Sequence, residues 1–250
     1  MSDNFKDLYN PNGAWISNRE ANDGKVYLIV SGRADAPAAN RQLISSNSEE
    51  FKTISKIIKL EGTSSHRDEY LWLAHTANNQ ARSRNRSLYQ LLQTGYSSVP
   101  RSDKTPLSNT DNSLQANAAR TGVINVLSGA ADPTGGARFW DGTDFLAWGL
   151  NSPNGTPHNK FEEYSSITIR GQIFVTFLNS QREIYPRSRV RYSGTYYTLP
   201  AAVFNDPANW RSPLARVPMA NNTFYYRTGS SGRGLVATGT KGHSIFWSVS

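Results

Sequence analysis

The chain has 250 residues, with Lys plus Arg 27 against Asp plus Glu 19 and a formal net charge of +8. That length allows one large domain or two small ones and a core of real size. Cysteine is absent, which excludes disulfides, thiolate zinc sites, Fe–S clusters and cysteine nucleophiles. Aromatic residues make up 11% of the chain, too many for a disordered segment. No apolar run approaches the roughly 18 residues that a membrane span needs. The start, MSDNFKDLYNPNGAW, has neither a basic region nor an apolar stretch, so it does not read as a secretory signal.

Residues 1–24 are polar, with turn signals at Asn10-Pro11-Asn12-Gly13 and Asp23-Gly24. Lys25–Gly32 holds Val26, Tyr27, Leu28, Ile29 and Val30 and reads as one buried strand. Residues 33–48 are small and polar. Ser46 to Ser48 precede Glu49 and Glu50, an N-cap with acids in the first turn. Phe51, Ile54, Ile57 and Ile58 then recur at helical spacing, which predicts a helix to about Leu60. A second helix is expected from Arg67 to Arg82, with Leu71, Ala74, Ala77 and Ala81 on one stripe. Ser87 caps a short helix over Leu88 to Gln93, ended by Gly95. Residues 96–112 are rich in Ser, Pro, Asp and Asn, a long loop of the kind that is often functional or mobile. Ser113 to Ser128 reads as a further helix closed by Gly129.

From 132 onward the chain is turn-rich, with Phe139, Trp140, Phe145 and Trp148 interleaved. Ile167 to Leu178 looks like a strand pair broken at Gly171, and Lys241 to Val249 like a final strand. The helical half (49–130) and the loop-and-strand half (131–250) differ in composition. No flexible linker bounds either, so the sequence reads as a single domain, 1–250.

The positive charge suits an anionic partner: nucleic acid, anionic lipid or acidic wall polymer. Its densest clusters are Arg82, Arg84 and Arg86, and then Arg182, Arg187, Arg189 and Arg191. The first reads as a helix end, where cations favour the macrodipole. The second lies beside Tyr192, Tyr196 and Tyr197, a mixture that could bind single-stranded nucleic acid. No nucleic-acid-binding signature accompanies it, so a solvated surface or glycan contact is the preferred reading and nucleic acid is not the expected partner.

The four histidines, His66, His75, His158 and His243, have no metal-ligand spacing. No nucleophile elbow, phosphate loop or dinucleotide fingerprint is present, so neither metal nor cofactor is expected. Acid–base chemistry by carboxylates remains. Glu61 follows an apolar helix and precedes Gly62 and a polar turn. Partly dry surroundings and the negative end of a helix dipole both favour a protonated carboxyl there, as a general acid on a glycosidic oxygen requires. The competing reading is an exposed glutamate that merely ends a helix.

The stretch ISKIIKLEGTSSHRDEYLWLAHTANNQARSRNRSLYQLLQTGYSSV, from Ile54 to Val99 with Ser97 and Ser98 near its end, resembles the cell wall hydrolases of the spore cortex-lytic type, within the wider lysozyme-like and lytic transglycosylase group. Glu61 falls on that family's catalytic position and Tyr96-Ser97 on its aromatic-Ser element. Ala74, Ala77 and Asn78 fall on the following helix, and Asn79 and Gln80 stand where the family often has Asn-Arg. Asp132-Pro133-Thr134-Gly135-Gly136-Ala137, followed by Phe139-Trp140, is similar to the family's DPTGGA run and the aromatics after it. The resemblance covers roughly 54–150, and residues 1–50 and 160–250 carry none.

The resemblance implies an α+β fold: a lysozyme-like helical core over 49–150 with a loop-rich, short-stranded extension over 151–250. It implies a peptidoglycan glycosidase, a lytic transglycosylase or a muramidase, acting between N-acetylmuramic acid and N-acetylglucosamine. Glu61 would be the acid; Tyr96, Ser97, Asp132, Thr134, Gly135, Gly136, Phe139 and Trp140 would bind substrate. The glycines let backbone approach a sugar closely, and the aromatic faces suit pyranose rings. Among carboxylates that could serve a hydrolase as second group, Asp68, Glu69, Asp132 and Asp141 are not separated by spacing.

The alternative from another class is a non-catalytic glycan-binding or structural part of a phage tail or injection apparatus. Lacking a signal, a wall-degrading enzyme would be made in the cytoplasm and reach the wall or periplasm by non-classical export, as an antibacterial effector does. Its partners would be glycan strands and an immunity protein or a component of the injection apparatus. The alternative explanation of the missing signal is a chain shortened at its start.

Overall fold

The computed structural model describes residues 5–30, 40–63, 65–96, 99–143, 160–170, 172–173, 176–177, 190–192, 195–197, 216–217, 224–227 and 230–250. The fold class is α+β. The chain divides into two compact units, Met1–Pro133 and Thr134–Ser250. The boundary falls inside the DPTGGA run, close to the compositional break at 130 and within the span expected to form one core.

In the first unit three strands precede four helices: β1 (Asp7–Tyr9), β2 (Val26–Ile29), β3 (Arg41–Ser45), α1 (Ser48–Glu61), α2 (Arg67–Ser83), α3 (Leu88–Gly95) and α4 (Leu114–Leu127). The helices form where the apolar spacing and caps predict. Asn47, inside the Ser46–Ser48 stretch, accepts the Glu50 N–H and caps α1, with Glu49 and Glu50 in the first turn. Ser87 and Gln90 form a reciprocal capping box on α3. Ser113 caps α4, and Gly129 follows it in the left-handed region at φ 75°.

α4 packs on α2 and α1, and α3 on both α1 and α2. The side chains between them include Phe51, Ile57, Ile58, Tyr70, Leu73 and Val123, all fully buried. The helices approach closely at Gly122, where a Cβ would stand 2.7 Å from the Tyr70 carbonyl oxygen; a larger residue there would force α4 away from α2.

β1 pairs in parallel with β2, and β2 antiparallel with β3. This sheet is tied to the helices by a polar network that sequence reading does not anticipate. Asp7 is fully buried. It accepts hydrogen bonds from Ser48 Oγ and from Asn109 Nδ2 at 2.5 Å, and it pairs with Lys52 Nζ at 3.1 Å. Tyr9 donates its hydroxyl to Asn109 Oδ1 at 2.6 Å. Arg120, also fully buried, lies over the Tyr9 ring at 5.5 Å and donates to the Asp111 and Ser108 carbonyls at 2.9 and 2.7 Å. These bonds satisfy groups whose burial would otherwise be costly.

They also pin the 99–112 part of the segment read as a loop. Leu107 N–H donates to the Lys52 carbonyl at 3.1 Å. Lys104 Nζ donates to the Leu92 and Gln93 carbonyls at 3.0 and 3.1 Å, closing the end of α3.

The second unit contains β4 (Phe139–Gly142), a short α5 (Lys160–Glu163), β5 (Ser166–Ile169), β6 (Val190–Tyr192), β7 (Thr195–Tyr197), β8 (Arg216–Val217), β9 (Phe224–Arg227), β10 (Leu235–Lys241) and β11 (Ser244–Val249). Six strands form one sheet in the order β4-β11-β10-β5-β9-β8, and β6 pairs with β7. β10 and β11 make a hairpin, with Ile245, Phe246 and Trp247 fully buried. The final strand is therefore Ser244–Val249, three residues shorter at its start than expected, because Gly242, at φ 55°, belongs to the turn. Of the strand pair expected over 167–178, the described residues form one strand, β5. Residues 172–173 and 176–177 are helical, and both edges of β5 are already taken, by β10 in parallel and β9 antiparallel. Arg182, Arg187 and Arg189 lie outside the described residues.

Candidate active site

Glu61 is the last residue of α1 and is half-buried. Gly62 follows as the C-cap in extended backbone, and its N–H donates to the Ile58 carbonyl. An ordinary residue could adopt this conformation. Glycine is required for another reason: a Cβ at this position would lie 2.2 Å from Tyr70 Cε1. The Tyr70 ring, fully buried, thus packs against the backbone beside Glu61 and fixes where α1 ends. Lys59, in the last turn of α1, pairs with Asp111 at 2.6 Å and holds the same end against the segment before α4.

Tyr96, the C-cap of α3, donates its hydroxyl to Gln80 Oε1 at 2.7 Å. Burial pushes the acidity of the Tyr96 hydroxyl well below that of ordinary tyrosine. The Glu61 charge acts in the same direction, and the Arg84 guanidinium opposes both. Each of these charges is thus close enough to act on the phenol. Tyr96, after α3, is thus bound to the buried Gln80 of α2 and lies within reach of the Glu61 charge at the end of α1. Ser97 lies outside the described residues.

The neighbouring residue on α2 carries a second set. Asn79 Nδ2 donates to Asp132 Oδ2 at 2.9 Å. His75, one helical turn before Asn79 and buried, has Nε2 3.0 Å from Asn125 Oδ1 and Nδ1 3.9 Å from Asp132 Oδ1. Asp132 itself is exposed and is held from α2, where Asn125 of α4 in turn orients His75. Of the carboxylates that spacing left undivided, Asp68 is exposed in the first turn of α2 and Glu69 is fully buried there. Asp141 belongs to the second unit.

The rest of the DPTGGA run opens the second unit. Thr134 is fully buried, and its Oγ1 accepts the Ala137 N–H at 3.2 Å, so its hydroxyl closes the turn. Gly135 and Gly136 are exposed with φ of 64° and 79°, a conformation that side chains resist. A Cβ on Gly136 would meet nothing within 4 Å, so the space above this backbone is open. Phe139 and Trp140 do not lie in a loop. They are the first two residues of β4, opposite Trp247 and Phe246 of β11, and successive strand residues point to opposite faces. Phe139 has the Lys160 ammonium 4.7 Å from its ring centroid and the Tyr164 ring at 6.0 Å. Both aromatics are half-buried.

In the first unit Tyr96 meets α2 at Gln80 and Asp132 meets it at Asn79, and the second unit carries Thr134, Gly135, Gly136, Phe139 and Trp140. Asn79 and Gln80, which stand where the family often has Asn-Arg but carry no role in the sequence reading, make these contacts, and His75 is the side chain it misses. The available signal was a run of polar residues on a helix whose apolar stripe, Leu73, Ala74, Ala77 and Ala81, is otherwise clear. Among the described residues no helix is long and apolar enough to cross a membrane. Comparisons with protein-family models, curated proteins and solved structures found no match.

Proposed function

We propose that this protein cleaves peptidoglycan glycan strands between N-acetylmuramic acid and N-acetylglucosamine, with Glu61 as general acid. The observation that carries the reading is that Glu61, at the end of α1, lies near enough to Tyr96 for its charge to act on the phenol, while Tyr96 is bound to Gln80 of α2. Glu61 and Tyr96 are both positions that the family resemblance marks, one ending α1 and the other capping α3. The resemblance to cortex-lytic cell wall hydrolases supplies the substrate class. The net charge of +8 suits a polymer rich in peptide carboxylates.

In this mechanism Glu61 gives its proton to the glycosidic oxygen as the bond from C1 breaks. On the transglycosylase route the resulting carboxylate then takes the proton of the muramoyl 6-hydroxyl. O6 bonds to C1, and the product is a 1,6-anhydro sugar. On the hydrolytic route a second carboxylate must position water or bond to C1. Asp132, held by Asn79 beside the same stretch of α2, is the carboxylate this chain offers for it. Fixed geometry of this kind is what acid–base catalysis requires.

Mass spectrometry of muropeptides released from purified peptidoglycan tests the reading and separates anhydro from reducing ends. Glu61→Gln should lower release by about 10²–10⁴-fold with little change in melting temperature. A variant as active as the parent chain would remove Glu61 as the acid, and a parent chain that releases nothing would leave the competing reading, a glycan-binding structural protein.

A further inference from the structure

Two residues one turn apart on α2 address both oxygens of a single exposed carboxylate. Asn79 Nδ2 donates to Asp132 Oδ2 at 2.9 Å, and His75 Nδ1 faces Asp132 Oδ1 at 3.9 Å. His75 and Asn79 stand four positions apart within α2 and so share one face of it. At the far side of the ring, Nε2 lies 3.0 Å from Asn125 Oδ1 on α4. An amide oxygen only accepts, so Nε2 carries a hydrogen and the other ring nitrogen is left for the carboxylate. A separation of 3.9 Å is one that a single water spans. Hydrogen bonds at catalytic groups are often long before substrate binds and tighten on it. The His75 side chain is 3% exposed and that of Asp132 30%. A buried, oriented imidazole thus backs a carboxylate that itself reaches solvent.

Closing the chain after α4 does not require this arrangement. Ser128 N–H donates to the Ile124 carbonyl at 2.8 Å, Gly129 N–H to Val126 at 3.1 Å and Ala130 N–H to Asn125 at 3.1 Å. Gly129 adds the left-handed conformation that ends a helix. An apolar residue would fill the place of His75 without desolvating an imidazole. What the cluster does fix is the direction of the Asp132 oxygens. A carboxylate held at both oxygens can take a proton from water only along its remaining lone pairs, so its setting decides where that water stands.

Resting on the glycosidase reading, we propose that His75 is a positioning residue for Asp132 and that, with Asn79, it fixes this carboxylate as the base that directs water to C1, so that the chain hydrolyses its substrate and releases reducing ends. In this step the glycosidic oxygen leaves C1 with the bonding electrons and takes the Glu61 proton. The oxygen of water bonds to C1, and the proton lost by that water goes to Asp132. Exchange with solvent removes the proton from Asp132 and restores the one on Glu61. His75 acts only through Asp132.

The test measures the rate at which the full chain and its variants release reducing and 1,6-anhydro ends from purified peptidoglycan. The parent chain should release mainly reducing ends. His75→Phe keeps a ring and removes both nitrogens. It should lower reducing-end release by about ten- to a hundredfold, the scale of a misplaced catalytic group, through kcat and with KM near the parental value. His75→Gln should retain part of the rate, since its amide still donates. Asn125→Ala, which removes the oxygen that orients the ring, should lower kcat in the same direction and carries the test if His75→Phe does not fold. In a chain already carrying Asp132→Asn, His75→Phe should lower the rate no further, because the group it acts through is gone. Ile29→Val weakens a buried cluster with Leu8, Ile16 and Tyr27 in the N-terminal sheet and should leave the rate of the folded chain parental. A parent chain that releases only anhydro ends, parental kcat in His75→Phe or in both His75→Gln and Asn125→Ala, or an undiminished effect of His75→Phe beside Asp132→Asn would each overturn the role of His75. Release of neither end by the parent chain would remove the glycosidase reading and this role with it.

Discussion

Asn79 donates from Nδ2 to Asp132 Oδ2 at 2.9 Å, so a residue in the second half of α2 holds the first residue of the DPTGGA run. The bond is reinforced by the buried His75 ring, which Asn125 orients from α4 at 3.0 Å. Asp132 is exposed, so the bond contributes modestly to stability, about 0.5–1.5 kcal/mol. Its larger effect is on where the carboxylate points. Asn79→Ala should therefore lower peptidoglycan turnover by more than the small shift in its denaturation midpoint explains. Asn79→Asp should be worse, because it sets a second carboxylate against the first. Turnover and urea unfolding of both variants check this. Two variants with parental turnover would show that Asp132 has no part in the reaction.

The Asp7–Lys52 pair makes a separate prediction about the scaffold. Both side chains are nearly or fully buried, and Asp7 also receives Ser48 and Asn109. Removing one charge leaves the other stranded in a medium that solvates it poorly. Lys52→Met should cost about 3–5 kcal/mol. Lys52→Met combined with Asp7→Asn should cost less than Lys52→Met alone, because the amide is neutral and can keep its bonds to Ser48 and Asn109. Chemical denaturation of the three chains reads this out. A double variant weaker than the single would mean that the aspartate's hydrogen bonds, and not its charge, hold the sheet to α1.

Two surface carboxylates fix the direction of acid sensitivity. Arg41 grips Glu20 through two hydrogen bonds, and together with Lys6 this lowers the Glu20 pKa from 4.5 to about 2 against the smaller opposing effect of burial. For Asp111, burial acts to raise the pKa, but the hydrogen bonds from Lys59 and Ser113 together outweigh it and bring it from 3.8 to about 2. Both groups bind protons more readily in the unfolded chain than in the fold. Their contribution is therefore complete above the unfolded values and is lost as pH falls through the window from about 4.5 to about 2. Urea midpoints should fall across that window on account of these groups. The fall should be shallower in a chain carrying Arg41→Met and Lys59→Met, measured against its own value at neutral pH. An identical slope would show that other groups govern acid unfolding.

Much of the first unit was legible because its signals are local. Phe51, Ile54, Ile57 and Ile58 mark α1 by spacing alone, and Ser87 with Gln90, Ser113 and Gly129 mark helix ends by cap chemistry. The N-terminal sheet was not legible in full. β1 is three residues long, and β3 leaves Gln42 and Leu43 exposed, so neither shows a period-two pattern. The bond from Asn109 to Asp7 joins residues 102 positions apart, and no local pattern announces such a partner. The same limit applies to the site. Glu61 was visible as a carboxylate ending an apolar helix, whereas Gln80 and Asn79 acquire a role only when α3 and the end of α4 are packed against α2. In the second unit the strand-forming residues were visible, but the choice of neighbours was not. Only the pairing of β5 with β9 and β10 shows why the segment after it does not return as a strand.

Trp140 offers the sharpest test of the second unit's part in function. It stands on β4 opposite the fully buried Phe246, while Phe139, on the other face, is engaged by Lys160 and Tyr164. The two aromatics therefore cannot form one continuous stacking surface, and each must be judged alone. A fully buried tryptophan truncated to alanine would cost about 3–5 kcal/mol. Trp140 is only half-buried, and part of its ring stays accessible, so Trp140→Ala should cost roughly 1–3 kcal/mol. Phe139→Ala should cost a similar amount through its lost ring and cation contacts. If Trp140 stacks on a sugar ring, its truncation should also raise KM on peptidoglycan several-fold, whereas Phe139→Ala should leave KM near the parental value once the folded fraction is taken into account. Thermal melting and substrate-dependent rates measured side by side separate the cases. Trp140→Ala with lower stability and parental KM would assign this tryptophan to the scaffold of the sheet and remove it from the substrate-binding set.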